Sequence, residues 1–214
     1  MASEDVGWPA SRYKAAGTAF VVREMSGLHL REARYGEALP TTTCIAESRR
    51  GIVLRRETWV SDVFRTTVQW AHVGSDGVPR RAGPDLVEAF TVTEAGSVEL
   101  PAFTEEEPRR LDPFVVVPWY TEMDPLGHSN HPRYVDWAEE SLSRHVAALG
   151  ADPIAIVPIA ETVRFRSGAV AGDRVTVALT EVGRAPGGVR VYDLAIDANG
   201  TPACSGRLWR RIPE

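Results

Sequence analysis

Residues 120–134 read Tyr-Thr-Glu-Met-Asp-Pro-Leu-Gly-His-Ser-Asn-His-Pro-Arg-Tyr, and this stretch decides the fold. The β-branched run Phe114-Val115-Val116-Val117 precedes it and predicts a strand. Residues 134–149 carry apolar side chains at helical spacing and stop at Gly150, which predicts a helix. The local arrangement is therefore strand, loop, helix.

The loop delivers three polar side chains to the start of that helix: Asp124, His128 and Asn130. Pro132 stands at the first helical position, and the helix start leaves several backbone N–H groups without intrahelical partners. Such donors can hold an anion or a polarised carbonyl. A carboxylate, an imidazole and an amide beside them are the groups that acyl transfer needs. The same residues also make an ordinary turn and helix cap, which is the structural alternative.

The pattern Asp-x-x-Gly-His-x-Asn-x-x-x-Tyr, from Asp124 to Tyr134, resembles the signature of the hotdog-fold acyl thioesterases. In that family a strand leads through the catalytic loop into a long central helix, around which an antiparallel β-sheet wraps. The resemblance covers residues 113–214. It implies an α+β fold and hydrolysis of a thioester, with acyl-CoA or an acyl carrier protein as the partner.

The resemblance also implies roles for the loop residues. Asp124 would be the catalytic carboxylate, acting either as a general base toward water or as a nucleophile. His128 and Asn130 would fix the water or the carboxylate. The backbone N–H groups of Gly127, His128 and Ser129 would stabilise the oxyanion. No metal is implied, and no cofactor beyond the coenzyme A or phosphopantetheine that forms part of the substrate.

Three residues of the predicted helix are further candidates for substrate contact: Tyr134, Trp137 and Glu140. Tyr134 and Trp137 are three apart and equally fit packing against a sheet. Glu140 adjoins Glu139, and most helical glutamates are solvated.

Two departures from the plant-type acyl-ACP thioesterase pattern bear on activity. Leu126 stands where that family has a catalytic Asn, and the strand after the helix, Arg164-Phe-Arg-Ser-Gly168, lacks its catalytic Glu. Two alternatives therefore stay open. One is a hotdog lyase or cyclase acting on a carrier-bound acyl or polyketide chain, and the other is a non-catalytic acyl-binding or assembly protein.

The end of the chain can be laid over its beginning as a weak repeat. Gly150 corresponds to Gly17, Gly172 to Gly36 and Trp209 to Trp70. Both copies continue with alternating strand patterns, such as residues 175–180 and 189–194, and Asn199-Gly200 predicts a hairpin. These features predict a tandem, or double, hotdog, an arrangement that resembles a dimer fused into one chain.

The two copies are unequal. Residues 1–90 predict a degenerate hotdog repeat that lacks its first strand and most of its helix, residues 91–112 a linker, and residues 113–214 the complete repeat with the motif. Either the recorded start lies downstream of the true one, or the first half has lost these elements. In the second case an apolar surface should lie exposed where they packed, and a homodimer could cover it.

Composition excludes several classes of protein. A net charge of -5 with 25% charged residues provides no basic field for nucleic acid. The two cysteines, Cys44 and Cys204, make no metal or disulfide framework, which favours the cytoplasm. The acidic N-terminus is followed by no long apolar run, so we expect no membrane span. With 43% hydrophobic residues in 214, the chain can bury a sizeable core.

Overall fold

The computed structural model describes residues 2–212, which divide into two compact units. Unit 1 is Met1–Glu99 and unit 2 is Leu100–Glu214. Each unit contains an antiparallel sheet and few helices. In the described range no helix is both long and apolar enough to cross a membrane.

Unit 1 begins with two short helices and continues into a four-stranded sheet, followed by a third short helix. Its elements are α1 (Ala2–Asp5), α2 (Ala10–Ala16), β1 (Thr18–His29), β2 (Thr41–Arg49), β3 (Val53–Val60), β4 (Phe64–Gly74) and α3 (Pro84–Ala89). The strand order is β2-β3-β4-β1, and every pairing is antiparallel. A cluster around Trp8 and Leu86 packs the short helices together, with Tyr13, Phe20 and Phe90 against it.

Unit 2 has two strands before its long helix and four after it. Its elements are β5 (Thr104–Arg110), β6 (Phe114–Val116), α4 (Pro132–Ala148), β7 (Val157–Phe165), β8 (Val175–Ala185), β9 (Val189–Ala198) and β10 (Thr201–Arg211). The order is β7-β10-β9-β8-β5, and β6 also pairs with β8. Short 3-10 helices lie at Tyr120–Glu122 and Pro153–Ala155.

Helix α4 is the helix that the apolar spacing predicts, and its buried stripe includes Tyr134, Trp137, Leu142 and Val146. The helix ends before Gly150, whose φ of +79° is a left-handed conformation that glycine adopts at no steric cost. The helix packs against β8, and Leu179 of that strand is almost fully buried, as are Ile196 of β9 and Leu208 of β10.

A buried arginine also ties α4 to this sheet. Arg210, on β10, is only 1% exposed; its Nε donates to Glu139 Oε1 of α4 at 2.6 Å. Its Nη2 lies 3.1 Å from Glu161 Oε2 of β7. Because a buried guanidinium between two carboxylates is costly to leave unpaired, this contact fixes the helix over the sheet. Glu139 therefore has a structural partner.

The two units repeat one strand pattern. In each, the strand after a helix pairs with the last strand, and the next two strands follow in the same order; unit 2 adds β5 beyond β8. Gly17 and Gly150 both have positive φ after a helix, as Gly36 and Gly172 have in the following loop. The preceding helices differ, since α2 has 7 residues and α4 has 17.

Part of the segment that the sequence assigned to a linker, residues 91–112, is strand in unit 2. Thr104–Arg110 forms β5 and pairs with β8, and the division between units falls after Glu99. The run of Glu105-Glu106-Glu107 looked like linker because all seven residues of β5 are exposed. An exposed edge strand carries no alternation of apolar residues, so periodicity does not reveal it.

The prediction of an exposed apolar face in unit 1 is wrong. Trp209 of unit 2 corresponds to Trp70 of unit 1, so residues at the same distance before each tryptophan can be compared. Gly206, three positions before Trp209, lies in a row of paired residues across β7, β10, β9 and β8: Val163, Gly206, Leu194 and Leu179. Thr67, three positions before Trp70, lies in the corresponding row of unit 1: Ser26, Thr67, Glu57 and Cys44. The face that α4 covers in unit 2 is thus polar in unit 1, and the reason given for a homodimer falls with it.

Candidate active site

The loop between β6 and α4 closes on itself. Asp124 N–H donates to the carbonyl of His128 at 2.7 Å, and Gly127 N–H donates to the carbonyl of Asp124 at 3.0 Å. A bridge between Met123 and Ser129 completes the turn. Gly127 has φ +80°, which a side chain would strain, so the glycine of the motif is required by the turn.

The Asp124 carboxylate is half-buried and held by the backbone of its own loop. Leu126 N–H donates to Oδ1 at 2.8 Å, and His128 N–H donates to the same oxygen at 3.3 Å. Within residues 2–212, Oδ2 receives no hydrogen bond. One carboxylate oxygen is therefore fixed, and the other remains available to accept a proton or attack a carbonyl.

The three backbone N–H groups assigned to an oxyanion already have acceptors. Gly127 N–H and His128 N–H bind oxygens of Asp124, and Ser129 N–H donates to the carbonyl of Ala169 at 2.7 Å. An oxyanion would have to displace these bonds. The oxyanion role of Gly127, His128 and Ser129 stays a prediction, and this geometry gives it no support.

The side chains of His128 and Asn130 are exposed on the same loop as Asp124. In the described chain neither donates a hydrogen bond to the Asp124 carboxylate. The His128 ring lies over the backbone of Gly168, where a Cβ would overlap ring atoms Cγ and Cδ2. Asn130 N–H donates to the carbonyl of Glu122 at 2.9 Å, which orients the residue at the start of α4.

Of the three substrate-contact candidates on the helix, two lie in the core. Tyr134 is 2% exposed and Trp137 5% exposed, and their rings pack 5.0 Å apart, so neither side chain faces solvent. Glu140 is exposed and forms an i,i+4 ion pair with Arg144 at 2.7 Å. Tyr134 and Trp137 therefore fit the packing alternative, and Glu140 fits the solvated one.

Sequence reasoning missed a second segment that borders the loop, residues 168–169. Ala169 N–H donates to the buried hydroxyl of Tyr134 at 2.8 Å, and the Ala169 carbonyl accepts from Ser129. Gly168 makes room for His128. Burial raises the pKa of Tyr134, so the hydroxyl stays neutral. The glycine after a strand was the one available clue.

Glu122 is a second missed carboxylate near Asp124. Its Oε2 accepts from Trp119 N–H at 3.0 Å, and its Oε1 lies 3.9 Å from Arg133 Nε on α4. These contacts anchor the 3-10 turn that precedes the loop. Among residues 2–212, His, Cys, Asp and Glu side chains form no group of three that could hold a metal ion.

Comparison with known proteins identifies the fold to which this site belongs. The sequence matches no protein-family model and no curated protein. The structure is similar to a putative oleoyl thioesterase from Lactobacillus plantarum, with a TM-score of 0.80 and 17% identity over 100% of this chain and 84% of that one.

Two acyl-ACP thioesterases are also similar in structure. The protein from Bacteroides thetaiotaomicron gives a TM-score of 0.74 at 15% identity, over 97% of this chain and 83% of that one. The 12:0-ACP thioesterase from Umbellularia californica gives 0.74 at 15% identity, over 99% and 84%. The chain therefore has the hotdog fold of these thioesterases, as the motif predicted. At this low identity the structural similarity establishes the fold alone, so the reaction has to be argued from the residues of the site.

Proposed function

We propose that this protein is an acyl thioesterase that hydrolyses an acyl-CoA or acyl-carrier-protein thioester with Asp124 as its catalytic carboxylate. The observation that carries the proposal is the state of Asp124: Oδ1 is held by two backbone N–H groups, and Oδ2 is available. The hotdog fold, shared with thioesterases, supplies the context. A fixed carboxylate on a short closed loop is a preorganised base.

In this mechanism Asp124 Oδ2 takes a proton from water as the water oxygen adds to the thioester carbonyl. The tetrahedral intermediate then collapses, the C–S bond breaks, and the thiolate leaves and takes up a proton. The products are a free acid and a free thiol. Asp124 returns to its ionised form when its proton passes to the thiolate or to solvent.

Side chains are the better candidates to stabilise the oxyanion, because the loop N–H groups already donate hydrogen bonds within the protein. His128 and Asn130 are exposed beside Asp124 and can each donate an N–H to a substrate oxygen. Their amide and imidazole groups are not committed to the carboxylate. They are the donors that we assign to the carbonyl oxygen.

We also infer that the chain is a tandem hotdog. The common strand order of the two units and the matched positive-φ glycines support this reading. Unit 2 carries the motif and the long helix, and unit 1 has a short helix in the corresponding place. The reaction is accordingly assigned to unit 2.

The test is release of free thiol from a panel of short, long and aromatic acyl-CoA and acyl-pantetheine thioesters. We expect wild-type turnover on at least one thioester and a loss of at least 100-fold in Asp124→Asn. Asparagine retains an oxygen for the Leu126 N–H bond but cannot accept the proton. Thiol release together with free acid identifies hydrolysis.

Asp152→Asn is the matched control, because Asp152 Oδ1 accepts from Ile154 N–H at 2.9 Å in the same turn geometry away from the loop. It should retain full activity. An Asp124→Asn variant as active as the wild type would refute the proposal. A rearranged acyl chain without free thiol would favour the lyase or cyclase alternative, and ligand binding without turnover would favour the binding alternative.

A single-turnover reaction in 18O-water separates general base from nucleophile. If Asp124 activates water, the 18O label enters the released acid in the first turnover. If Asp124 attacks the carbonyl and water then adds to the Asp124 carbon of the mixed anhydride, the first acid carries oxygen from the enzyme and the label enters the Asp124 carboxylate. Mass spectrometry of the acid and of the peptide that contains Asp124 measures both, and label in the Asp124 peptide identifies the nucleophilic route.

A further inference from the structure

Large apolar side chains lie exposed on and beside the loop that carries Asp124. Trp119 is 73% exposed and Tyr120 is 87% exposed, although tryptophan and tyrosine side chains are largely buried in most proteins. Within residues 2–212, neither ring stacks on another aromatic ring. This exposed apolar surface consists of Val117, Trp119, Tyr120, Leu126 and Val170.

Two backbone hydrogen bonds hold residues 169–172 beside the other segments of this surface. Gly172 N–H donates to the carbonyl of Pro118 at 3.2 Å, which joins this segment to the chain just before the 3-10 turn. Ser129 N–H donates to the carbonyl of Ala169 at 2.7 Å, which joins it to the loop. The exposed apolar residues therefore belong to segments that are bonded to one another around Asp124.

The two aromatic residues lie at the 3-10 turn that leads directly into the loop. Glu122 N–H donates to the carbonyl of Trp119 at 3.0 Å, and Met123 N–H donates to the carbonyl of Tyr120 at 3.3 Å. Glu122 Oε2 also accepts from Trp119 N–H at 3.0 Å. Because the main chain is already held here, a ligand that binds these side chains does not have to order the backbone.

The carboxylates next to the exposed apolar surface are bonded to the protein. Asp173 Oδ2 accepts from Val170 N–H, and its Oδ1 accepts from Asn199 Nδ2, each at 2.8 Å. Glu122 accepts from the backbone of the 3-10 turn and lies 3.9 Å from Arg133 Nε. The surface itself carries no charged side chain, so it suits an apolar ligand better than an ion.

Other parts of the molecule suit an apolar ligand less well. A cavity of about 410 Å³ in unit 1 has Val98 as the single apolar side chain among nine lining residues. Filling it with methylene groups would remove water from carboxylates and guanidinium groups and return no hydrogen bond, which is unfavourable. Under α4 in unit 2, the space is taken by the protein's own side chains, among them Tyr134, Trp137 and Leu142.

We propose that Trp119, Tyr120 and Leu126 bind the acyl group of the thioester and make the enzyme select bulky apolar acyl groups over acetyl. This inference rests on the proposed function, because it takes the substrate carbonyl to lie at Asp124. An acyl group attached to that carbonyl lies beside the exposed apolar surface. Because the surface is open to solvent, it has no end wall and sets no upper limit on the length of the acyl chain.

The test is calorimetric titration of the full chain carrying Asp124→Asn with acetyl-, hexanoyl-, decanoyl- and phenylacetyl-CoA. This variant should bind the thioesters without hydrolysing them, so affinity is measured apart from catalysis. Hexanoyl-CoA and phenylacetyl-CoA should bind about 10-fold more tightly than acetyl-CoA, because burying about two methylene groups against apolar side chains gives this gain. Decanoyl-CoA should bind at least as tightly as hexanoyl-CoA.

Alanine at each aromatic position should remove part of this preference. In the Asp124→Asn chain, Trp119→Ala and Tyr120→Ala should each weaken hexanoyl-CoA and phenylacetyl-CoA about 5-fold and leave acetyl-CoA unchanged, because only the larger acyl groups reach these rings. Tyr35→Ala is the control, since Tyr35 is fully exposed in unit 1. It should leave all four affinities unchanged, and circular dichroism verifies that each variant folds.

Leu126→Ala tests the aliphatic part of the surface and keeps the backbone N–H that holds Asp124. It should weaken hexanoyl-CoA more than acetyl-CoA. Ile154→Ala is the matched control, because Ile154 is 90% exposed and its N–H donates to Asp152 Oδ1 at 2.9 Å, in the same Asp-Pro turn sequence. It should bind all four thioesters as the Asp124→Asn chain does.

Equal affinity for acetyl-CoA and the larger thioesters would overturn the inference, as would an unchanged preference in the Trp119, Tyr120 and Leu126 variants. Weaker binding of decanoyl-CoA than of hexanoyl-CoA would show a closed pocket and refute the open surface. If wild-type protein releases no thiol but the Asp124→Asn chain prefers apolar acyl groups, the surface stands and the hydrolysis proposal fails. Turnover without any acyl preference would have the opposite meaning.

Discussion

The hydroxyl oxygen of Tyr134 lies 2.8 Å from the backbone nitrogen of Ala169 and accepts its N–H inside the core of unit 2. Ala169 in turn accepts Ser129 N–H, so the tyrosine that ends the motif holds the segment against which the loop rests. This relationship explains why a tyrosine, and not a phenylalanine, stands ten residues after Asp124. Tyr134 is a positioning residue for the loop.

Tyr134→Phe should lower both stability and turnover. The change keeps the ring but leaves the Ala169 N–H buried without an acceptor, which costs about 1–3 kcal/mol. We expect kcat to fall several-fold with KM nearly unchanged, because the loop shifts while substrate binding surfaces remain. Urea unfolding and steady-state kinetics measure the two effects.

The control for this prediction is Tyr192→Phe. Tyr192 is another buried tyrosine of unit 2, and its row on the sheet reaches β7 at Glu161, four residues from Phe165, whose ring contacts Tyr134. It should leave kcat unchanged. A Tyr134→Phe protein of normal kcat would show that the Ala169 contact serves stability alone.

Gly168→Ala should impair both activity and stability. The added Cβ would overlap His128 Cγ and Cδ2 and lie 2.8 Å from His128 Cβ, and because turning the ring cannot move its Cβ, the loop that carries His128 must shift. We expect kcat to fall about 10-fold, as in His128→Ala. The double variant should fall no further, since both changes remove one interaction.

Gly96→Ala provides the matched control, because a Cβ at that glycine meets nothing within 4 Å. If Gly168→Ala and His128→Ala combine additively, Gly168 acts through something other than the histidine. Circular dichroism with thermal melting verifies that each variant folds.

Much of unit 2 follows from sequence, because its elements carry strong local patterns. The apolar spacing of residues 134–149 predicts α4, and the alternation at 175–180 and 189–194 predicts β8 and β9. The Asn199-Gly200 hairpin is also confirmed, with φ values of +50° and +80°. Each of these patterns encodes burial on one face, which periodicity detects.

The residues of the candidate site could be predicted from the sequence, but their hydrogen bonds could not. The motif names Asp124, His128 and Asn130, but spacing cannot say that the loop N–H groups bind the loop itself. Nor can it show Ala169 beside Tyr134, since that contact joins residues 35 apart. Such contacts depend on how the helix and sheet pack, which is a tertiary property.

The polar face of unit 1 could have been found from sequence. The pairs Glu47-x-Arg49, Arg55-x-Glu57 and Thr67-x-Gln69 place polar residues two apart on three strands. A strand alternates its faces at each residue, so these pairs mark a polar face. An apolar face at this position, as expected from the loss of the helix, is not what these pairs encode.

Ser129→Ala should raise stability. The Ser129 hydroxyl is buried, with the residue 4% exposed, and in the described range it has no hydrogen-bond partner. Removing an unsatisfied buried hydroxyl should stabilise the fold by about 1 kcal/mol, while the backbone bond to Ala169 persists. Ser167→Ala should do the reverse, since its hydroxyl donates to the carbonyl of Pro202 at 3.0 Å.

Urea midpoints of both serine variants test this pair of expectations. A Ser129→Ala protein that is less stable would mean that the hydroxyl has a bonding partner in solution. A protein that is more stable but turns over more slowly would show that the Ser129 hydroxyl contacts substrate.

Alkaline conditions should destabilise the protein through Tyr192. Burial raises the pKa of Tyr192 to about 12, against about 10 for a tyrosine in the unfolded chain. Between these values the folded protein keeps a proton that the unfolded chain has lost, so stability falls as pH rises from about 10 toward about 12. The slope for this one group is about 1 kcal/mol per pH unit.

The measurement is urea unfolding from pH 8 to 11.5 in wild type and in Tyr192→Phe, because subtracting the two curves removes the titration of other groups. Phenylalanine cannot ionise, so the variant should lose less stability over this range. Tyr35 is fully exposed, and Tyr35→Phe should follow the wild-type curve. Parallel curves for wild type and Tyr192→Phe would mean that Tyr192 titrates normally and that solvent reaches it within the sheet.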